Sequence, residues 1–185
     1  MLKNVSSVIW ITGLSGSGKT TISKILKKKI SAFNNRVIHL DGDELRNCAS
    51  TIIIKNSFSK TYRKKIGLFY AKLANIIANQ NYIVIISVMA LQKEVHLWNK
   101  KNISNYYDIM LDVPIKELQS RDPKGIYKKY SKGKIKNLYG LDLDYDKPKK
   151  PWMLIKWSRQ LNKNLIVDLI LDKFVKENIK RKKVL

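Results

Sequence analysis

The chain has 185 residues, of which 44% are hydrophobic, enough for one compact domain with a single core. A single cysteine excludes an internal disulfide, and the longest apolar run, around Tyr82 to Leu91, is about half of the roughly 20 residues that a membrane helix requires, so we expect a soluble cytoplasmic protein. The formal charge of +23 attracts polyanions of several classes, from nucleic acids to small phosphate compounds, without choosing between them.

Strands and helices alternate along the first half of the chain. The apolar run Val8–Thr12 predicts a strand, Thr21–Ile30 has the apolar spacing of a helix, and Arg36–Leu40 predicts a second strand. A long helical pattern from about Ser59 to Asn79 precedes Tyr82–Val88, a continuous apolar run typical of a parallel strand that is buried on both faces.

The second half continues the alternation. After another helix, Tyr106–Val113 predicts a strand, Pro151–Trp157 is a weaker strand candidate, and Leu161–Ile179 has the spacing of a closing helix. Between them, Lys124–Lys150 is rich in Lys, Gly and Tyr and predicts a mobile loop. We therefore predict an α/β fold in a single domain, residues 1–185, with a parallel sheet, helices on both faces and a ligand crevice beyond the carboxyl ends of the strands.

The stretch ITGLSGSGKTT contains a phosphate-binding loop. Gly13, Gly18, Lys19 and Thr20 match G-x-x-x-x-G-K-S/T, and the predicted strand before and helix after the match are the context that the motif requires. In such a loop the backbone N–H groups surround the phosphates, the lysine reaches the outer phosphates, and the hydroxyl faces magnesium. The sequence therefore predicts a nucleoside triphosphate site.

Charged residues follow the second predicted strand in the sequence LDGDELR. Asp41, Asp43 and Arg46 could together position magnesium, orient an attacking hydroxyl and clamp an anionic acceptor. The alternative is a helix cap at Asp41 followed by a solvated first turn.

A second basic segment, RDPKGIY, opens the predicted loop. A lid, at about residues 121–150, that carries Arg121 and Lys124 could neutralise charge on a transferring phosphoryl group and exclude water. Charges in an exposed loop are more often simply solvated, so this segment is informative only together with the others.

Taken together, these segments resemble the adenylylsulfate kinase family. Its GLSGSGKTT loop, LDGD-x-x-R strand end, FS-x-x-(D)R turn, RDPKGLY lid and G-(I/V)-D-x-x-(Y/F)-(E/D)-x-P segment correspond here to Gly13–Thr21, Leu40–Arg46, Phe58–Arg63, Arg121–Tyr127 and Gly140–Pro148. The resemblance runs from about Val8 to Trp157. It implies a P-loop kinase fold and transfer of the γ-phosphate of ATP, with Mg²⁺, to the ribose 3′-hydroxyl of adenylylsulfate, a small-molecule nucleotide acceptor.

The resemblance also implies roles for individual residues. Catalytic roles would fall to Lys19, Asp41 and Asp43, and metal binding to Thr20 and Asp41. ATP would be bound by Gly13, Leu14, Ser15, Gly16, Ser17, Gly18, Lys19, Thr20, Thr21 and Arg121. The acceptor would be bound by Asp41, Arg46, Phe58, Arg63, Lys93, Lys124 and Leu138.

Departures from the family pattern are concentrated where the acceptor should lie. Ile66 stands where the family has Asn, and apolar residues, Leu68 and Phe69, stand where it has paired arginines. The second of the two phenylalanines that sandwich the acceptor adenine aligns with Leu138, beside Tyr139. The sequence therefore keeps the donor half of the family's site and alters the acceptor half.

Several alternatives stay open at this point. Adenylylsulfate is the first candidate acceptor, and the second is a cytidine nucleotide carrying a phosphoramidate, because the segment Lys93–Ile109 is similar to relatives in surface-polysaccharide pathways. An alternative of another class is a basic nucleic-acid-binding P-loop ATPase, which the charge favours, although the sequence has no helicase-like second motif and no set of zinc ligands. We expect neither a nucleic-acid partner nor membrane binding, and a homodimer is one of the assemblies left open.

Overall fold

A parallel five-stranded sheet forms the centre of the computed structural model, which describes residues 6–49 and 59–182. The strands lie side by side in the order β2-β3-β1-β4-β5, and every neighbouring pair is parallel. Their bounds are β1 Ser7–Gly13, β2 Val37–Asp41, β3 Ile83–Ser87, β4 Tyr106–Asp112 and β5 Met153–Lys156. Every residue of β1 and β3 is buried, which explains their continuous apolar sequences.

Helices cover both faces of this sheet. The helices are α1 Lys19–Ser31, α2 Gly42–Ala49, α3 Lys60–Ala78, α4 Lys93–Asn102, α5 Ile115–Arg121, α6 Ile126–Ser131 and α7 Lys163–Lys182. Because side chains alternate along a strand, Ile9 and Ile11 pack with α1 and α7 on one face, whereas Val8 and Trp10 pack with α3 and α4 on the other. The predicted α/β fold is confirmed. Within the described ranges, none of these helices has the length and apolar character needed to span a bilayer.

The strand register brings three strand ends together at one edge of the sheet. Asp41, the last residue of β2, pairs with Ser87, the last residue of β3, and Ser87 also pairs with Ile11 near the end of β1. Within the sheet, β3 lies on one side of β1 and β4 lies on the other, so the strand order reverses direction at β1. This is the arrangement that leaves a ligand crevice beyond the carboxyl ends of the strands.

The segment that we predicted as a mobile loop is more ordered than its sequence pattern suggests. It contains α6, and Tyr127, Leu138 and Tyr139 are buried in an apolar cluster with Leu14 and Leu118. Prediction from aliphatic periodicity missed this packing because aromatic side chains supply much of the buried surface. The short helix α2 was predicted only through the alternative interpretation of Asp41 as a helix cap.

Candidate active site

The glycine-rich loop joins β1 to α1 at the crevice. Gly18, directly before the helix, has a φ of 93°, in the left-handed region that favours glycine. At Gly13 an added Cβ would lie 2.8 Å from the backbone oxygen of Leu111, so only glycine fits beside the neighbouring strand. These two positions explain why the sequence gives up packing surface here: the backbone itself forms the site.

Lys19 lies inside this loop. Its Nζ donates hydrogen bonds to the carbonyl oxygens of Gly13 and Leu14, at 2.9 and 2.8 Å. Desolvation and the nearby ammonium of Lys124 lower the pKa of Lys19 to about 8, against the opposing effect of the carboxylates of Asp43 and Asp41. An anionic phosphate group beside this ammonium would favour its charged form.

Asp41 is the centre of a hydrogen-bond network. Its Oδ2 accepts from the hydroxyls of Thr20 at 2.6 Å and Ser87 at 2.9 Å, and its Oδ1 accepts from the backbone N–H of Asp43 at 2.9 Å. Burial alone would raise the pKa of Asp41, but these hydrogen bonds lower it below the ordinary value, so the carboxylate is ionised at neutral pH. Asp41 therefore caps α2 and also contacts the phosphate-binding loop.

The pair formed by Thr20 and Asp41 fits a magnesium ion that arrives with a nucleotide. One hydroxyl and one carboxylate oxygen are the protein ligands that Mg²⁺ takes when phosphates and water complete its octahedron. Among the described residues no group of three or more His, Cys, Asp or Glu side chains could hold a metal ion by itself. The donor set is therefore suited to a metal shared with the substrate.

A cavity of about 450 Å³ lies over these residues, within the size range of small-molecule sites. The structure brings most of the predicted site residues together in its lining: Ser15, Gly16, Gly18, Lys19, Thr20, Thr21, Asp41, Asp43, Arg46, Arg63, Arg121 and Lys124. One wall is mainly apolar and is formed by Ile66, Gly67, Tyr70, Val88, Met89 and Ala90. The end of the cavity with Lys19 and the glycine-rich loop suits the phosphates of a nucleotide, and the apolar wall suits its base.

Charged side chains meet across the mouth of the cavity. The Nζ of Lys124 contacts the carboxylate of Asp43, and the guanidinium of Arg46 lies 3.6 Å from the other oxygen of the same carboxylate. Arg121, at the end of α5, forms an ion pair with Glu117 at 2.7 Å. These groups are largely solvated, so their value for stability is small, and they can exchange partners when an anionic ligand enters.

Some predicted site residues lie outside the cavity lining. Leu138 is only 1% exposed and packs into the apolar cluster with Leu14, and its side chain does not line the cavity. Lys93 is exposed at the start of α4, where its backbone N–H donates to Asp146. Gly13, Leu14 and Ser17 belong to the loop without lining the cavity, and Phe58 lies outside the described residues.

Two further residues belong to the site without having been predicted. Ser87 donates to Asp41 and lies 3.0 Å from the Nε2 of His39, so it extends the network around the carboxylate. The register of neighbouring parallel strand ends is the feature that could have identified it. Lys163, at the start of α7, also lines the cavity, and no motif marks it.

Comparison with known proteins gives a consistent result. Residues 5–156 match the family model described as adenylylsulphate kinase. The chain is 36% identical to a cytidine diphosphoramidate kinase from Campylobacter jejuni, over 93% of this chain and 98% of the relative. It is 32% identical to an adenylyl-sulfate kinase from Clostridium acetobutylicum, over the whole chain and 88% of the relative. The solved structure of the Mycobacterium tuberculosis APS kinase in complex with AMPPNP and APS superimposes with a TM-score of 0.81 at 25% identity, covering 90% of this chain and 95% of that one.

Proposed function

Since the chain belongs to the adenylylsulphate kinase family, we propose that it transfers the γ-phosphate of ATP to the ribose 3′-hydroxyl of a nucleotide that carries a small anionic group. The chain is an ATP-dependent kinase with a nucleotide acceptor. The observation that carries the finer proposal is the placement of Lys19, Thr20 and Asp41 around one end of a nucleotide-sized cavity.

The donor end acts by position and charge. The backbone N–H groups of the loop and the start of α1 would surround the phosphates of ATP, and the Lys19 ammonium would exchange its carbonyl partners for the outer phosphates. In phosphoryl transfer, where charge spreads over the phosphoryl oxygens, such fixed positive groups supply most of the catalysis.

Asp41 would serve two partners in turn. Together with Thr20 it would hold Mg²⁺, which would neutralise negative charge on the phosphates. Its ionised carboxylate accepts from Ser87 and lines the same cavity as the apolar wall, so it would face an acceptor hydroxyl that binds along this wall. The carboxylate would orient this hydroxyl and accept its proton as the hydroxyl oxygen bonds to the γ-phosphorus and ADP leaves with the oxygen that joined it to that phosphorus.

The lid would complete the site during transfer. Lys124 contacts Asp43 across the cavity mouth, so the lid already reaches the opposite wall. An incoming phosphate would compete with the Asp43 carboxylate for Lys124, and Arg121 would add a second positive charge. Closure would keep water from the γ-phosphate and so limit ATP hydrolysis.

For the acceptor, the observations best support a cytidine diphosphoramidate-type nucleotide. Leu138 is buried in the apolar cluster instead of lining the cavity, so this position offers no aromatic face for a purine. The relative from Campylobacter jejuni is a cytidine diphosphoramidate kinase and matches this chain along almost its whole length. The smaller pyrimidine needs less stacking surface.

Adenylylsulfate is the second candidate acceptor. It is favoured by the family match. It is also favoured by Arg46 and Arg63, two residues to which the family resemblance gives a role in acceptor binding and which both line the cavity. The two candidates share a ribose 3′-hydroxyl and a small anionic group beside the 5′ phosphate, so the same catalytic residues would serve either.

An acceptor panel decides between these candidates. The protein would be incubated with Mg²⁺, radiolabelled ATP and, in separate reactions, cytidine diphosphoramidate, adenylylsulfate, CDP, AMP or RNA. We expect label transfer to cytidine diphosphoramidate with a higher kcat/KM than to adenylylsulfate. A further reaction with the 3′-deoxy form of the preferred acceptor should give no labelled product. RNA-stimulated release of free phosphate without any labelled nucleotide product would instead favour the nucleic-acid-binding ATPase.

We also propose a cytoplasmic location and a homodimer. A cytoplasmic site fits the use of ATP and the single cysteine. Large apolar side chains, Phe69 and Ile76, are exposed on the same side of α3 and support self-association. Light scattering on the purified chain tests the assembly, and a monomer mass at micromolar concentration would contradict the dimer.

A further inference from the structure

Arg63 is held at the cavity wall by contacts from the lid segment. The residue is 7% exposed and lines the cavity from the first turns of α3. Its guanidinium carbon lies 4.4 Å from the centre of the Tyr139 ring, and one of its terminal nitrogens donates to the carbonyl oxygen of Asn137 at 3.0 Å. Both partners belong to the segment after α6, so this segment contributes to holding the guanidinium in place.

Tyr139 is itself fixed from several sides. It is 1% exposed, its hydroxyl accepts a hydrogen bond from Nε2 of Gln92, and its ring meets the edge of Tyr145 at 6.2 Å between centroids. The preceding turn is held by Asp142, whose carboxylate accepts from the backbone N–H of Asn137 at 2.8 Å. A ring held in this way is a rigid support for whatever packs on its face.

A ring supports a guanidinium without competing for its ligands. The guanidinium carbon of Arg63 lies over the face of the Tyr139 ring, a cation–π contact in which the arginine keeps its charge. Anions bind a guanidinium through its N–H groups, and the carbon atoms of a ring are not acceptors that compete with an anion for them. A carboxylate in the same place would neutralise the charge and occupy those N–H groups. The arrangement therefore fixes the position of Arg63 while preserving its positive charge for an anionic ligand.

We propose that Tyr139 is a positioning residue for the acceptor, acting through Arg63, and this inference rests on the proposed nucleotide kinase function. The neighbouring Leu138 turns into the apolar cluster, so the aromatic ring of this segment supports an arginine instead of contacting a base. Acceptor recognition then depends on the lid segment through charge and orientation. A substitution at Tyr139 should accordingly weaken binding of the acceptor and leave the affinity for ATP unchanged.

A double-mutant cycle between the two residues tests this dependence. The dissociation constants of CDP and 5′-AMP, measured by calorimetry with AMPPNP and Mg²⁺ present, would be compared in the wild type, Tyr139→Leu, Arg63→Ala and the double variant. We expect Tyr139→Leu to weaken the better-binding probe about tenfold, and to have less than a twofold effect when Arg63 is already Ala. The affinity for AMPPNP should stay within twofold throughout.

Matched variants separate positioning from general packing. Tyr139→Phe keeps the ring and loses only the contact with Gln92, so it should retain most of the probe affinity. Tyr145→Leu removes a ring that packs against Tyr139 but leaves the Tyr139 ring itself in place, so it should weaken probe binding less than Tyr139→Leu does. If Tyr139→Leu does not fold, Tyr139→Met fills the space without a ring and takes its place in the cycle.

Three results would overturn the inference: additive effects of the two substitutions, an equal loss of AMPPNP binding, or a wild-type chain that binds neither probe. A wild type that binds a probe but phosphorylates no nucleotide would contradict the proposed function alone, and the binding cycle would still decide the role of Tyr139.

Discussion

Two parts of the cavity are built in different ways: the end at the glycine-rich loop, where we propose that ATP binds (the donor end), and the surrounding wall of side chains, where we propose that the acceptor binds (the acceptor wall). At the donor end, the loop from Gly13 to Thr21 is one continuous segment whose backbone forms the site, and Lys19 binds to carbonyl oxygens of the same loop. The acceptor wall combines side chains from α2, α3, the end of β3 and the lid, among them Arg46, Arg63 and Met89.

This difference indicates where the site can change without losing its chemistry. A backbone site tolerates few substitutions, because a Cβ at Gly13 already meets the backbone oxygen of Leu111. A wall of side chains can be altered one residue at a time while the strands that carry it keep their positions. Changes of acceptor are therefore expected on the wall, and losses of catalysis at the donor end.

The largest effect should come from Lys19→Ala at the donor end. We expect kcat/KM for ATP-dependent transfer to fall by about a thousandfold, as for other fixed groups that stabilise developing charge, with the melting temperature nearly unchanged. Lys24→Ala, on the exposed side of α1, is the matched control and should keep full activity. Near-normal turnover by the Lys19 variant would remove the kinase assignment of this cavity.

A second test compares two carboxylates that lie two residues apart. Asp41→Asn should lower kcat about a hundredfold with little change in ATP affinity, because the proposed role of the lost carboxylate is to orient the acceptor hydroxyl and the metal during transfer. Asp43→Asn should cost less than tenfold, since Asp43 contacts mobile cations at the cavity mouth. Equal losses of kcat and ATP affinity in Asp41→Asn would point to its role as the cap of α2 alone.

Sequence reasoning succeeded best where the determinants are local. The strand before Gly13 and the helix after Gly18 follow from short patterns, and the Thr20–Asp41 pair follows from a motif and a strand end. The sequence carries less information about features that depend on packing between distant segments. The orientation of Leu138 into the apolar cluster and the place of Lys163 in the cavity both depend on segments distant in sequence, and the spacing of neighbouring residues carries no information about them.

The affinity for ATP should depend on pH through Lys19 at the donor end. The pKa of Lys19 is about 8 without nucleotide, and bound phosphates raise it, so ATP binding above pH 8 requires uptake of a proton. We expect the dissociation constant of ATP to increase about tenfold between pH 7 and pH 9. Calorimetry in buffers of different ionisation enthalpy would measure the proton uptake.

Lys19→Arg is the control for that measurement. Arginine keeps its charge at pH 9, so the proton uptake at pH 8.5 should disappear even where ATP binding is weakened. A wild type with the same ATP affinity at both pH values would show that the ammonium is not the group that limits binding.

The smallest expected effect, and the one that tests the acceptor wall most directly, comes from restoring family residues there one at a time. Ile66 lines the cavity, so Ile66→Asn places a hydrogen-bonding group against the acceptor and should raise kcat/KM for adenylylsulfate by two- to about tenfold, the value of one hydrogen bond. The KM for ATP should not change, because its phosphates bind at the other end of the cavity.

Leu138→Phe should have the opposite outcome, although the family pattern favours Phe there. The side chain is buried beside Leu14, so a larger ring overpacks the cluster and should lower stability by about 1–3 kcal/mol without improving the use of adenylylsulfate. Thermal unfolding and steady-state kinetics on both single variants separate the two effects. The opposite result, a higher kcat/KM for adenylylsulfate in Leu138→Phe and none in Ile66→Asn, would mean that the new ring reaches the acceptor. Position 138 would then belong to the acceptor site, contrary to its burial away from the cavity lining.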